Sequence, residues 1–177
     1  KYLKNNLKLM KLIPVDGVLA DLGVSSHQFD SSERGFSFRF DSLLDMRMDK
    51  NDGLDAVRVL NEYSQEQLAS IFWEYGELRE SRKLARKIVE LRADIEIQTT
   101  KQIIDLSRGL VKRAKENQFL ARVFQAIRIE VNQEMVVLES LLEQTLDLVK
   151  PGGRVVVITY HSLEDRMVKK FFKSGNV

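Results

Sequence analysis

The chain has 177 residues, 44% of them hydrophobic, with 28 Lys and Arg against 26 Asp and Glu and a formal net charge of +2. That length suits one domain or a domain with an insertion, and the apolar content supports a proper core, while two Pro and nine Gly argue against a fibrous or disordered chain. Without Cys there is no disulfide or thiolate chemistry, and without a signal-like or membrane-length apolar run the default expectation is a soluble, cytoplasmic protein with no membrane partner.

Leu3, Leu7 and Met10 recur at helical spacing with Lys on the other side, which predicts the end of an amphipathic helix stopped by Pro14. Val18-Leu19-Ala20 is a short apolar run ahead of a turn-like cluster and predicts a buried strand. Asp21 stands at its end, and Gly23 permits a sharp change of direction. Ser25, Ser26 and Gln28 follow as exposed hydrogen-bonding groups. Ligands of open α/β sheets bind outside the carboxyl ends of strands, and an acceptor-only carboxylate there suits an amine or ammonium. The competing role for Asp21 is a turn or helix cap.

Residues 30–52 are irregular. Phe36, Phe38 and Phe40 alternate with Ser37 and Arg39, as a stacking platform for bases or as a loop pinned to the core by its aromatics. The pinned loop is preferred, because aromatics bury readily. A helical block follows, with no strand expected from 53 to 118. Ser64 with Gln67 makes a capping box ahead of Leu68, Ile71, Phe72 and Tyr75, and Gly76 stops that helix. Leu84, Ile88 and Leu91 line the next helix. Its other face carries Arg79, Arg82, Lys83, Arg86 and Lys87, whose spacing lets several share one side. A solvated face is the ordinary role of such a run, and RNA backbone binding is the sharper one. Thr99 and Gln102 form a second capping box before Ile103, Leu106 and Leu110.

From Phe119 to Lys150 apolar residues recur at three- and four-residue steps, predicting one long helix or two abutting ones with Asn132 as the irregular point. Pro151-Gly152-Gly153 is expected to break the helix. Val155 to Thr159 then predicts a central parallel strand buried on both faces. Tyr160 and His161 lead off its end, and Ser162 with Asp165 is expected to cap a helix carrying Met167, Val168, Phe171 and Phe172. The strands near 17–21 and 154–159 should be parallel neighbours whose tips face one crevice.

Five stretches now form a set: DLGVSS with Gln28 and Asp30, Arg34-Gly35-Phe36-Ser37-Phe38, Leu44 to Met48, Phe124 to Asn132, and His161 to Arg166. In that order they closely resemble the motifs DLGVSSxQxD, RGFSF, LDMRM, FQAxRIxVN and HSLEDR of the bacterial 16S ribosomal RNA cytosine-N4 methyltransferase family, RsmH or MraW. The likeness covers nearly the whole chain. One local departure is Phe119-Leu120-Ala121-Arg122, where family members often show Pro-Ala-Thr-Arg.

The resemblance implies an α/β fold: a partial Rossmann-like methyltransferase sheet of parallel strands with an inserted all-α domain. Residues 1–42 and 117–177 would belong to the methyltransferase domain and 43–116 to the insertion. It implies methyl transfer from S-adenosylmethionine to the N4 amine of a cytidine in 16S ribosomal RNA of the small subunit. Asp21 and Gln28 match the family's cofactor-binding residues. Ser25, Ser26 and His161 are candidate catalytic groups, with turn-forming or structural roles as the alternatives. Arg34, Arg47, Arg122 and Arg128 are RNA contacts or structural pairs. No metal ligand set is expected, and a homodimer is left open. The family's Gly-rich cofactor loop has no counterpart here, so the expectation is a central fragment, inactive alone, holding about half of a cofactor site. The rival readings are a non-catalytic RNA-binding module of the same fold and a helical scaffold.

Overall fold

The computed structural model describes residues 2–24, 34–51 and 53–176. In chain order the elements are α1 (Leu3–Leu9), β1 (Val15–Asp21), α2 (Ala56–Glu62), α3 (Gln65–Glu74), α4 (Ser81–Asp94), α5 (Thr100–Ser107), α6 (Glu116–Asn132), α7 (Glu134–Leu148), β2 (Val149–Ile158) and α8 (Ser162–Ser174). A short 3-10 turn, Arg113–Lys115, precedes α6. Packing divides the chain into two units, residues 1–23 with 133–177 and residues 24–132.

The first unit is built on a parallel pair. Gly17 to Asp21 run beside Arg154 to Ile158 in continuous register, with Asp21 opposite Ile158. Parallel neighbours need a crossover, and the helical connection meets that need. The register slips between Val15, which faces Val149, and Gly17, which faces Arg154. Pro151, Gly152 and Gly153 lie inside that slip, so they do not separate helix from strand as expected. The helix ends at Leu148, and β2 begins at once. Backbone approach explains the glycines: a Cβ on Gly17 would lie 2.8 Å from the Arg154 carbonyl oxygen, and one on Gly153 2.7 Å from that of Asp16.

Burial along β2 alternates, which corrects the expectation of a strand buried on both faces. Val157 packs on one side with Leu22 and with Leu138, Leu142, Met167, Val168 and Phe171, the apolar stripes of α7 and α8. On the other side Leu19 is 71% exposed, and Val156 and Ile158 are also exposed. A β-branched run reports strand propensity, and the placement of covering helices decides how many faces are dry. The amphipathic α1 has no buried residue; Lys4 ties it to α7 by an ion pair with Asp147 and a backbone bond to Gln144 Oε1 at 2.9 Å.

The second unit is helical. Leu68, Ile71, Phe72, Leu84, Ile88 and Ile103 form the expected core, with Leu106 partly buried against it. Leu44, Met46, Leu60, Ile97, Val123 and Ile127 extend that core. Both expected capping boxes are present, Ser64 with Gln67 on α3 and Thr99 with Gln102 on α5. Gly76 ends α3 where a Cβ would meet the Phe72 carbonyl oxygen at 2.7 Å and that of Arg122 at 3.1 Å. Among the described residues, 53–118 contains no strand; Thr99 makes one isolated antiparallel bridge to Leu43. Residues 34–42 and 117–132 pack with this helical unit; the domain division read from the sequence begins the insertion at 43 and ends it at 116. The cause is local: Phe36 is buried in the helical core, and Phe38 meets Phe124 of α6 edge-on at 5.7 Å.

Candidate active site at the strand ends

The parallel register brings the carboxyl ends of β1 and β2 to one edge. Asp21 closes β1 with an exposed carboxylate, and the Tyr160 hydroxyl, two residues beyond β2, donates to Asp21 Oδ1 at 2.7 Å. The bond to a carboxylate raises the pKa of the Tyr160 hydroxyl above its ordinary value. Gly23 turns the chain away with φ +81°, beside the Tyr160 ring. The expected convergence of the two tips is therefore present as a direct side-chain bond.

Behind Tyr160 lies a buried cap. Helix α8 begins with His161 as its N-cap residue, not with Ser162 and Asp165 as the sequence suggested. The Glu164 backbone N–H donates to His161 Nδ1 at 3.5 Å, and Glu164 Oε2 accepts from the backbone N–H of Tyr160 at 2.8 Å and of His161 at 3.4 Å. This is a capping box in which imidazole replaces the usual hydroxyl. Glu164 is only 2% exposed. Burial alone would raise its pKa, but the His161 side chain and the Tyr160 N–H outweigh that and hold it below the ordinary carboxylate range.

With Nδ1 accepting, the other ring nitrogen, Nε2, is the donor of the imidazole. Nε2 is buried without a hydrogen-bond partner, 3.3 Å from Glu164 Oε1, and the side chain is 8% exposed. Glu134 joins the group: one ligand atom from each of Glu134, His161 and Glu164 falls within 4.8 Å of the others. His161 serves first as a helix cap, with Nε2 beside the Glu164 carboxylate.

Ser25, Ser26 and Gln28 lie outside the described residues. The basic run lies on α4 and, for Arg79, in the turn just ahead of it, in the helical unit. Arg79, Arg82, Lys83 and Arg86 are exposed, and Arg86 pairs with Glu90 at 3.5 Å. Lys87 differs: its ammonium donates to the carbonyls of Leu106 at 3.0 Å and Arg108 at 3.3 Å, which close α5. Arg92 likewise serves the Leu60 carbonyl at 2.9 Å.

The whole chain, residues 1–177, matches the family described as MraW methylase. The chain belongs to the MraW methylase family. It is 56% identical over 177 residues to the ribosomal RNA small subunit methyltransferase H of Bacteroides thetaiotaomicron, covering 100% of this chain and 58% of that protein. It is 54% identical over 175 residues to the same-named protein of Christiangramia forsetii, covering 99% of this chain and 58% of the relative. With the Flavobacterium psychrophilum protein of that name the figures are 50% over 175 residues, 99% and 60%. The chain thus spans about three-fifths of the length of the curated relatives it matches.

Several residues of the MraW-type motifs hold the fold together. Arg34 donates to the carbonyls of Arg47 and Met48 and lies over the Phe36 ring, 5.4 Å from its centroid. Arg47 grips Asp45 with two parallel bonds, Nε to Oδ1 at 2.8 Å and Nη2 to Oδ2 at 3.0 Å, and this contact lowers the Asp45 pKa. Arg122 reaches the Glu77 carbonyl at 3.5 Å, and Gln125 Nε2 donates to that of Tyr75 at 2.9 Å. Asn132 accepts from the Met48 N–H at 2.6 Å and donates to the Met46 carbonyl at 2.7 Å, stitching the 44–48 loop to the end of α6. Sequence reasoning missed the work of Tyr160 and Glu164. The spacing of His161 and Glu164 carries the capping signal, while nothing local marks Tyr160 as the partner of Asp21.

Proposed function

We propose that the protein carrying this chain transfers a methyl group from S-adenosylmethionine to the exocyclic N4 of a cytidine in 16S ribosomal RNA of the small subunit, in the cytoplasm. The strand pair would be part of a Rossmann-like methyltransferase sheet, with the helices as its insertion. The observation that carries this reading is the exposed Asp21 carboxylate at the shared carboxyl edge of two parallel strands, within a chain of the MraW methylase family. The names of the relatives support ribosomal RNA of the small subunit as substrate.

The residues present suit the cofactor. Among the described residues the Tyr160 hydroxyl is the one hydrogen-bond partner of the Asp21 carboxylate, and it engages Oδ1. Oδ2 then accepts from an ammonium, as a carboxylate at a strand end can. Gln28 is the second proposed contact. S-adenosylmethionine supplies an electrophilic methyl on a sulfonium. The protein has to bring the weakly nucleophilic N4 into line with it, so proximity and orientation dominate the rate. The target cytosine leaves its stack to reach the strand ends. Ser25 and Ser26, next along the chain from Asp21, are proposed to orient that base.

RNA backbone contacts are assigned to Arg79, Arg82, Lys83 and Arg86, exposed residues of α4 and the turn just ahead of it. Such contacts position the substrate without reading its sequence. Lys87 supports this face through its hold on the end of α5.

The test is incubation of the full-length protein with unmethylated small subunits and S-adenosylmethionine, followed by nucleoside mass spectrometry. N4-methylcytidine at a single position is the expected product. RNA binding without any methyl transfer would replace this reading with that of an RNA-binding module.

A further inference from the structure

An exposed carboxylate at the end of a strand normally turns freely about its last side-chain bond. Asp21 does not. The Tyr160 hydroxyl holds Oδ1 at 2.7 Å, across 139 residues of sequence. Tyr160 is itself anchored through its backbone, and its ring lies beside a turn. Its backbone N–H is held at 2.8 Å by the buried Glu164, and its ring lies beside the Gly23 turn, where a Cβ on Gly23 would sit 3.4 Å from Cδ2. A chain of contacts therefore runs from the cap of α8, through Tyr160, to one oxygen of Asp21.

We propose that Tyr160 is a positioning residue that locks Asp21 Oδ1 so that Oδ2 is presented, pre-aimed, to the ammonium of the cofactor's amino-acid chain. The inference rests on the reading of Asp21 as a cofactor carboxylate. Its physical basis is preorganisation: a group already fixed in its bound orientation loses less freedom when the ligand arrives. The hydroxyl also satisfies the oxygen that the ligand leaves unpaired, so the carboxylate stays fully hydrogen-bonded in the complex.

Two ligands separate this role from general support of the fold. S-adenosylhomocysteine carries the ammonium; 5′-methylthioadenosine has the same nucleoside but lacks that chain. Calorimetry on the full-length protein compares the parent, Asp21→Ala, Tyr160→Phe and the double variant with both ligands. Tyr160→Phe is expected to weaken S-adenosylhomocysteine about three- to tenfold, the scale of one hydrogen bond. The double variant should bind it no more weakly than Asp21→Ala, and methylthioadenosine should bind all four proteins alike. If Asp21→Ala loses affinity and Tyr160→Phe binds like the parent, the positioning role is overturned while the reading of Asp21 stands. Equal loss of both ligands in Tyr160→Phe also overturns it, because the tyrosine would then only support the fold. Parent-like binding of S-adenosylhomocysteine by Asp21→Ala removes Asp21 from the cofactor site, and the inference falls with it.

Discussion

His161 and Glu164 cap each other at the start of α8: the imidazole Nδ1 takes the Glu164 N–H, and the buried carboxylate takes the N–H groups of Tyr160 and His161. The carboxylate is thus the floor on which the tip of β2 rests. Glu164→Ala leaves buried donors unpaired and should lower stability by about 1–3 kcal/mol, read from denaturant unfolding of the full-length protein. A loss below about 0.5 kcal/mol would mean that the cap is incidental.

The same carboxylate predicts a pH response. Its folded-state pKa lies below the unfolded one, near 4.3, so its contribution is fully present above about pH 4.3 and is lost as pH falls through the lower folded value. Glu164→Gln cannot titrate. Its stability relative to the parent should therefore be lowest above about pH 5 and should recover as the solution is acidified below about pH 4. A stability difference that stays flat over pH 3–7 would contradict the shift.

Asn132 joins the 44–48 loop to α6 through Met46 and Met48 and also bonds the Arg128 carbonyl at 2.9 Å. Asn132→Ala should cost about 1–3 kcal/mol, because the Met48 N–H and Met46 carbonyl lose their partner together. Asn132→Asp keeps an acceptor for the Met48 N–H but puts a carboxylate oxygen against the Met46 carbonyl, so it should not restore the parent's stability. Rescue by Asp would show that the donor half of the amide is idle.

How much of this was legible in the sequence depended on distance along the chain. The caps of α3 and α5 were readable because Ser64 with Gln67 and Thr99 with Gln102 are complete within four residues. The parallel pairing followed from two strand–helix units. The cap of α8 was misplaced by one residue, since a histidine cap lies outside the usual hydroxyl and carboxamide pattern. Arg34 and Arg47 read equally well as RNA contacts or structural pairs, and only the fold shows the guanidinium of Arg34 against the Arg47 and Met48 carbonyls. Lys87 looked like one more cation on a basic face until α5 brought two carbonyls to it. Ser25, Ser26 and Gln28 fall outside the described residues, so their roles still rest on motif position alone.

The α4 face gives a contrast between neighbours. Replacing Arg79, Arg82 and Lys83 with Glu should weaken RNA binding at all sequences and flatten its salt dependence, by roughly one unit of log–log slope per lost phosphate contact. Cofactor affinity should stay at the parent value. Lys87→Met should act differently, lowering stability through the freed carbonyls of Leu106 and Arg108. RNA titrations over a salt series, paired with unfolding curves, separate the two. Parent-like RNA binding by the triple variant would leave this run a solvated face.

The proposed hold of the Asp21 end of β1 on the methyl donor is tested by steady-state methylation of small subunits by full-length Asp21→Ala as S-adenosylmethionine is varied. The expected KM for the donor is raised about 5- to 150-fold, the equivalent of about 1–3 kcal/mol, with the KM for the small subunit unchanged. A parent-like KM for the donor would contradict it.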